Sequence, residues 1–342
     1  MVERSVQFRG FRLSAEVPDR VGQLMRRVIG GARRPPLAQP QVIVRGDSRL
    51  LVRDPPPTTF VRHDPEIGLG FITDRIAHRA RAAAQAAGRP KTPSSATDTD
   101  EAGALARQVA AQPWYHTIEL PYGIETSGYY DHRPLVPIYG IPADLTGKRV
   151  LDVATADGFW AFEFERRGGE VTALDIETTA DVDLPPRVQQ LATQRGYADL
   201  LGDGFELAHR SLGSKVKRVV GTVYDLDPDR LGRFDLVHTG DLLLHLRDPI
   251  RALQKLRTVT EGEFLLSDVF DSTIGWPQRI ESGVSHYLGG SIMAGWWTPA
   301  LGTLVQMVID AGFSDVEVLT VYSLIPRGMR DGPWRAVLRA RP

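Results

Sequence analysis

From residue 147 to the end, short apolar runs alternate with longer amphipathic stretches. Short β-branched and aromatic runs bounded by turn residues predict strands, and longer runs of helical period predict helices. The strands fall at 149–153, 170–175, 216–221, 235–239, 264–268, 316–322 and 334–339, and the main helices at 159–167, 249–259 and 298–311. This alternation predicts a doubly wound α/β sheet. The last two strands follow a single helix and lie close together, which predicts an antiparallel, hairpin-like pair.

The first hundred residues have a different texture. Short β-like pieces at 6–13, 41–44 and 49–52 are broken by ARRPP and DPPP, proline clusters that end strands. Residues 72–88 favour a helix, with Thr73 or Asp74 as the cap and Gly88 as the stop. The following RPKTPSSATDTD has almost no apolar side chain and reads as a linker. Residues 1–95 are therefore expected to be an accessory or partly disordered region with a linker, and 96–342 a single domain opening on the helical stretch EAGALARQVAAQ.

Composition narrows the classes. No run of about 18 uncharged apolar residues exists, and the opening MVERSVQFRGFR lacks the apolar core of a secretory signal, so no membrane span and a cytoplasmic location are expected. The absence of cysteine excludes disulfides, thiolate metal sites and a cysteine nucleophile. No Asp/Glu/His spacing suggests a metal site, and no P-loop or Gly-x-Ser-x-Gly is present. The net charge of −1 conceals an asymmetry: residues 1–100 hold 17 Lys and Arg against 10 Asp and Glu, and the remainder 24 against 32. Such an asymmetry reads either as a basic arm for phosphates or as scattered arginine usage, since 16 of those 17 are Arg.

The chemistry concentrates in residues 148–177, KRVLDVATADGFWAFEFERRGGEVTALDIE. A strand ends at Asp152, a turn of small residues follows, and a helix starts near Phe159. That arrangement aims free N–H groups at a ligand and lets it approach the backbone. Asp175, ending the next strand, is placed to accept from both hydroxyls of a ribose. Alanine at two turn positions argues against a pyrophosphate, which needs glycine, and for a nucleoside cofactor without phosphates. A ligand-free turn or a dinucleotide site are the other readings.

VLDVATADGFWAFEFERRG followed by ALDIE resembles motif I and post-motif I of class I S-adenosylmethionine-dependent methyltransferases, where the turn reads Asp/Glu-x-Gly-x-Gly-x-Gly. The glycine positions hold Ala154, Ala156 and Gly158. The resemblance implies a Rossmann-like seven-stranded sheet with helices on both faces plus an N-terminal extension. It also implies S-adenosylmethionine as cofactor, held by Asp152, Ala154, Ala156, Gly158 and Asp175. Further on, GTVYDLDPDRLGRFDLVHTGDLLLHLRDP resembles the family's adenine and methyl-site strands, implying Tyr224, Asp225 and Leu226 around the adenine and Gly240 and Asp241 near the sulfonium. Asp225 has the alternative of capping the turn before Pro228, and Asp241 of capping the next helix.

Across residues 105–265 the chain is similar to proteins grouped with the tRNA wobble-uridine carboxymethyltransferases, which share a Trp-led segment before motif I. In those enzymes Arg-Lys follows that Trp and holds a carboxylated cofactor; here Trp114 is followed by Tyr115 and His116. Leu244 also replaces the family's Tyr before His245. These departures point to transfer of a plain methyl group.

Methylating a hydroxyl requires a proton acceptor beside the methyl donor. The candidates are His245 first, His116 second, then His238 and His286, with Asp241 beside them; each histidine also has a packing role as its alternative. Trp296 and Trp297 either line the acceptor pocket or pack in the core. The expected function is O-methylation of a small molecule, a sugar or natural product. Two alternatives stay open: a tRNA-modifying enzyme, and a non-catalytic S-adenosylmethionine-binding module. The oligomeric state is not legible.

Overall fold

A computed structural model of the protein describes residues 2–8, 11–17, 41–45, 48–53, 61–62, 100–194, 202–274, 283–291, 295–327 and 332–342. The expected helix at 72–88 lies outside them, as does nearly all of the expected linker. The chain divides into two units, Met1–Gln39 and Pro40–Pro342. In the first, β1 (Val2–Phe8) pairs antiparallel with β2 (Phe11–Val17), with Phe8 in register with Phe11, and the run expected at 6–13 falls partly in each strand.

The second unit opens with β3 (Gln41–Arg45), β4 (Ser48–Arg53), β5 (Val61–Arg62) and helix α1 (Asp100–Ala110). The α/β alternation then runs β6 (Arg149–Val153), α2 (Phe159–Arg166), β7 (Glu170–Asp175), α3 (Pro186–Gln194), α4 (Asp203–Leu212) and β8 (Lys217–Val220). It continues through α5 (Pro228–Leu231), β9 (Phe234–Gly240), α6 (Pro249–Val259) and β10 (Thr260–Val269). The last elements are β11 (Ser285–Ser291), β12 (Gly295–Pro299), α7 (Leu301–Asp310), β13 (Asp315–Ile325) and β14 (Trp334–Ala340).

All seven expected strands share one sheet in the order β8-β7-β6-β9-β10-β14-β13. The first five are parallel, and β14 inserts antiparallel between β10 and β13 as the expected final pair. Beyond β13 the sheet continues into β4 and β3, with Arg53 opposite Val321 and Arg49 opposite Ile325, and β5 pairs with Asp315 and Val316. The ladder therefore crosses the boundary expected at residue 95.

Strands buried on both faces explain the near-continuous apolar runs. Leu151, Val153, Val237, Phe264 and Leu266 face Leu253 and Leu256 of α6 and Leu304 and Val308 of α7. Their alternating neighbours Val150, Leu236 and Leu265 face the other way, against Ala161 and Phe164 of α2 and Phe205 and Ala208 of α4. The helix expected at 298–311 starts only at Leu301, with Ala300 in the cap position and no side-chain cap. The reason lies upstream: Trp297 and Thr298 pair with Tyr287 and His286 in the β11–β12 ribbon, so the chain is extended through Pro299.

Candidate functional site

The five parallel strands end at one edge of the sheet, and chain order reverses between β6 and β9, where open α/β sheets leave a crevice for ligands. Leaving β6, the chain passes through Ala154 (φ 62°), Ala156 (φ 48°) and Gly158 (φ 89°). All three positions of the motif are left-handed, two of them in alanine. Each alanine costs about 1–2 kcal/mol in this conformation. Two hydrogen bonds hold the turn: Ala154 N–H donates to the Leu174 carbonyl at 2.8 Å, and Ala156 N–H to Asp175 Oδ2 at 2.7 Å. Asp175 Oδ1 accepts from Ile176 N–H at 2.8 Å. Burial raises the Asp175 pKa, and the two N–H donors oppose that shift.

An open cleft of about 1470 Å³ runs along these strand ends. Of the predicted residues, Ala154, Ala156, Asp175, Tyr224, Gly240, Asp241 and His245 line it. The rest are placed otherwise. Asp152 is buried below the turn, its Oδ1 2.6 Å from His238 Nδ1 and its Oδ2 accepting from the Thr155 hydroxyl at 2.7 Å. Gly158 precedes α2 against Phe162 and Phe205, where an added Cβ would come within 2.6–2.8 Å of their rings. Asp225 is exposed and closes a capping box with Thr222, accepting from its N–H at 3.0 Å and its hydroxyl at 2.6 Å, while the turn before Pro228 is capped by Asp227. Leu226 is fully buried in the core beneath α6, because its side chain follows the apolar face of that turn.

Asp241 (φ 50°) takes neither of its expected roles alone. It lines the cleft but does not cap the next turn, whose Leu242 and Leu243 N–H groups donate to Asp268 Oδ2 at 3.0 and 2.7 Å. Its own carboxylate pairs with Arg335 Nε at 2.7 and 2.9 Å and accepts from the Tyr115 hydroxyl at 3.1 Å. Burial opposes the Arg335 charge, and Asp241 overrides it, holding the guanidinium firmly charged. Burial, reinforced by the Asp241 charge, pushes the Asp268 carboxyl up to about 7.

The histidines separate sharply. His245 lines the cleft, and burial lowers its pKa against the opposing pull of Asp241. His116 lies under the cleft floor, its pKa lowered by burial and then by His132, which burial pulls down to about 3. His238 has no exposed surface, and its Nε2 lies 2.8 Å from the Tyr139 hydroxyl. His286 pairs with Asp271 at 2.8 Å on the β11–β12 ribbon. Neither tryptophan lines the cleft: Trp296 is buried and donates to the Asp183 carbonyl at 2.5 Å, while half-buried Trp297 donates to the Arg247 carbonyl at 3.2 Å. Asp183 and Arg247 both line the cleft, so the ribbon is seated on its lip.

Sequence reasoning missed Tyr139, His132, Asp268 and Arg335. Arg335 had a signal, one of two arginines inside the otherwise apolar strand WRAVLRA, but its meaning depends on β14 lying beside β10, where Arg335 sits opposite Val269. Among the described residues no helix is long and apolar enough to cross a membrane.

The methyltransferase domain family matches residues 134–318, more than half of the chain, and the protein belongs to that family. A magnesium-protoporphyrin O-methyltransferase of Rhodobacter capsulatus is 33% identical over 119 residues, 35% of this chain and 43% of that enzyme, so the match spans less than half of its length. A tRNA U34 carboxymethyltransferase of Campylobacter hominis is 24% identical over 247 residues, 69% of this chain and 75% of that enzyme. Among solved structures, the N-terminal domain of EvdMO1, crystallised with SAH and D-fucose, aligns with TM-score 0.46 and 20% identity over 71% of this chain and 97% of that one.

Proposed function

We propose that this protein transfers a methyl group from S-adenosylmethionine to an oxygen of a small molecule. The observation that carries this reading is the charge of the cleft. Asp157, Asp175, Asp181, Asp183, Asp203 and Asp241 line it, against Arg218 and Arg247 as its only cations among the described residues. Six carboxylates attract a sulfonium cation and repel a phosphate backbone. A carboxylated cofactor would meet the same repulsion, because His116 is held neutral by burial and Arg335 is engaged by Asp241.

On this reading the turn at Ala154 and Ala156 gives the cofactor close approach to backbone, and Asp175 keeps lone pairs for the ribose hydroxyls. Tyr224 borders the adenine, its hydroxyl donating to Asp183 at 3.1 Å, and Gly240 and Asp241 border the transferred methyl. The cofactor supplies an electrophilic methyl on sulfur. The chain's own task is to align the acceptor with it and take the acceptor's proton.

Calorimetric titration with S-adenosylmethionine, followed by mass spectrometry of a panel of sugars, phenols and alcohols incubated with protein and cofactor, tests this. Saturable binding and a mass gain of one methyl on a hydroxyl compound are expected. Binding without any methylated product would favour the non-catalytic module. Label appearing only in bulk tRNA, with affinity falling steeply in salt, would replace the small-molecule reading with the tRNA one.

A further inference from the structure

Behind the cleft floor lies a second, small space of about 30 Å³, room for a hydroxyl or a water and little more. It shares Ala154, Ala156, Gly240 and Asp241 with the cleft, so it opens where the methyl donor is expected to end. Its inner wall is polar: His116, His132, Tyr139, Ser267 and Tyr322. His116 and His132 are each 4% exposed, and neither Nδ1 has a hydrogen-bond partner among the described residues. Buried polar atoms left in this state mark a position where a ligand group or water completes the bonding.

From this space a chain of polar groups leads away from the cleft. The Tyr139 hydroxyl lies 2.8 Å from His238 Nε2, and His238 Nδ1 lies 2.6 Å from Asp152 Oδ1. All three residues are at most 1% exposed. The Tyr139 ring stacks on Trp160 at 4.0 Å between centroids, which fixes where its hydroxyl points. A Cβ placed on Gly240 would come within 3.7 Å of both the Tyr139 hydroxyl and the His238 ring, so the start of the chain sits directly under the strand tip.

We propose that the small chamber seats the acceptor's hydroxyl and that Tyr139, His238 and Asp152 form the relay that takes its proton. This rests on the O-methylation reading. The acceptor O–H bond breaks and its proton goes to Tyr139 Oη; the proton already on Oη passes to His238 Nε2. The imidazolium so formed is held by the Asp152 carboxylate, and the acceptor oxygen keeps the electron pair it needs for the methyl. Tyr139 touches the acceptor, while His238 and Asp152 act through it. Among the described residues, His245, the first candidate from the sequence, has no carboxylate hydrogen-bonded to its ring to hold a developing charge. His116 Nδ1 lies 3.9 Å from Asp157 Oδ2, beyond hydrogen-bond reach.

The relay requires His238 to be neutral with its proton on Nδ1. Nitrogen-15 NMR of histidine-labelled protein with S-adenosylhomocysteine bound reads this without any acceptor. An imidazolium, or a proton on Nε2, would overturn the proposal even where no acceptor in the panel reacts. For a hydroxyl compound that is methylated, Tyr139→Phe keeps the stacked ring and removes only the oxygen. It should lower turnover of an aliphatic alcohol 10²- to 10⁴-fold and that of an acidic nitrophenol far less, because the nitrophenol ionises unaided. Gly240→Ala should impair both acceptors by filling the chamber mouth. Equal losses for alcohol and nitrophenol in Tyr139→Phe would sink the relay. Unaltered S-adenosylmethionine affinity in Tyr139→Phe is expected throughout; a wild-type protein that fails to bind that cofactor refutes the methyl-transfer reading instead.

Discussion

Asp175→Ala separates two jobs that one carboxylate performs. Inside the protein, Oδ2 accepts the Ala156 N–H at 2.7 Å and Oδ1 the Ile176 N–H at 2.8 Å. Toward the cleft the remaining lone pairs are open to the ribose. A hydrogen bond to a charged group is worth about 1.5–3 kcal/mol, and water recovers part of that when the group is removed. A net loss of roughly 1–3 kcal/mol in cofactor binding follows, a rise in Kd of about 5- to 150-fold. The same substitution strands the Ala156 N–H in a left-handed turn, costing a further ~1–3 kcal/mol of stability, or several degrees in Tm for a domain of this size. Titration calorimetry with S-adenosylhomocysteine reads the first effect and thermal unfolding without ligand the second. Asp175→Asn, which still offers one carbonyl oxygen, should recover much of the stability and little of the affinity. A folded Asp175→Ala protein with wild-type affinity would refute the ribose assignment, and with it the orientation of the cofactor in the cleft.

Three further outcomes are expected. Ala154→Gly and Ala156→Gly each relieve about 1–2 kcal/mol of backbone strain against a ~0.5–1 kcal/mol entropic cost, so each should leave Tm unchanged or raise it by a few degrees in a melting curve; a clear drop would contradict the left-handed assignment. Removing residues 1–39 should leave fold and cofactor affinity intact, whereas removing 1–95 strips β3, β4 and β5 from the edge beside β13 and should lower Tm or expose the sheet to aggregation. Asp268, raised by burial to about 7, stays protonated in the native state while the unfolded chain ionises near pH 4. Its stabilising effect is therefore full below pH 4 and is lost as pH rises to about 7, by up to roughly 4 kcal/mol; urea unfolding across that range should show the wild type converging on or falling below Asp268→Asn, and parallel curves would disprove it.

The sheet was legible because its strands are buried on both faces, so continuous apolar runs such as VLDV and FDLVHTG could be read without tertiary information. The cradle was legible for a local reason as well, since strand, small-residue turn and helix follow one another within ten residues. What escaped was everything set by strand order. Arg335 meets Asp241 across 94 positions, and His238 meets Asp152 across 86, contacts that exist only because β14 lies beside β10 and β9 beside β6. Asp225 shows the reverse case: its partner Thr222 is three residues away, and the capping pattern was available in the sequence.

The two missing glycines of the motif show why a glycine count is a poor measure of such a site. A glycine there serves two different needs, a left-handed backbone and the absence of a side chain. Ala154 and Ala156 meet the first need at the cost of strain, and both line the open cleft. Gly158 faces both needs, because its Cβ would run into Phe162 and Phe205. Gly158→Ala should thus lose about 1–2 kcal/mol to backbone strain and a further ~1–3 kcal/mol to overpacking, several times the effect of changing either alanine. The glycine that survives is the one whose replacement the packing forbids. Alanine at two of these positions suits a cofactor without a pyrophosphate, which needs glycine for close approach to the backbone.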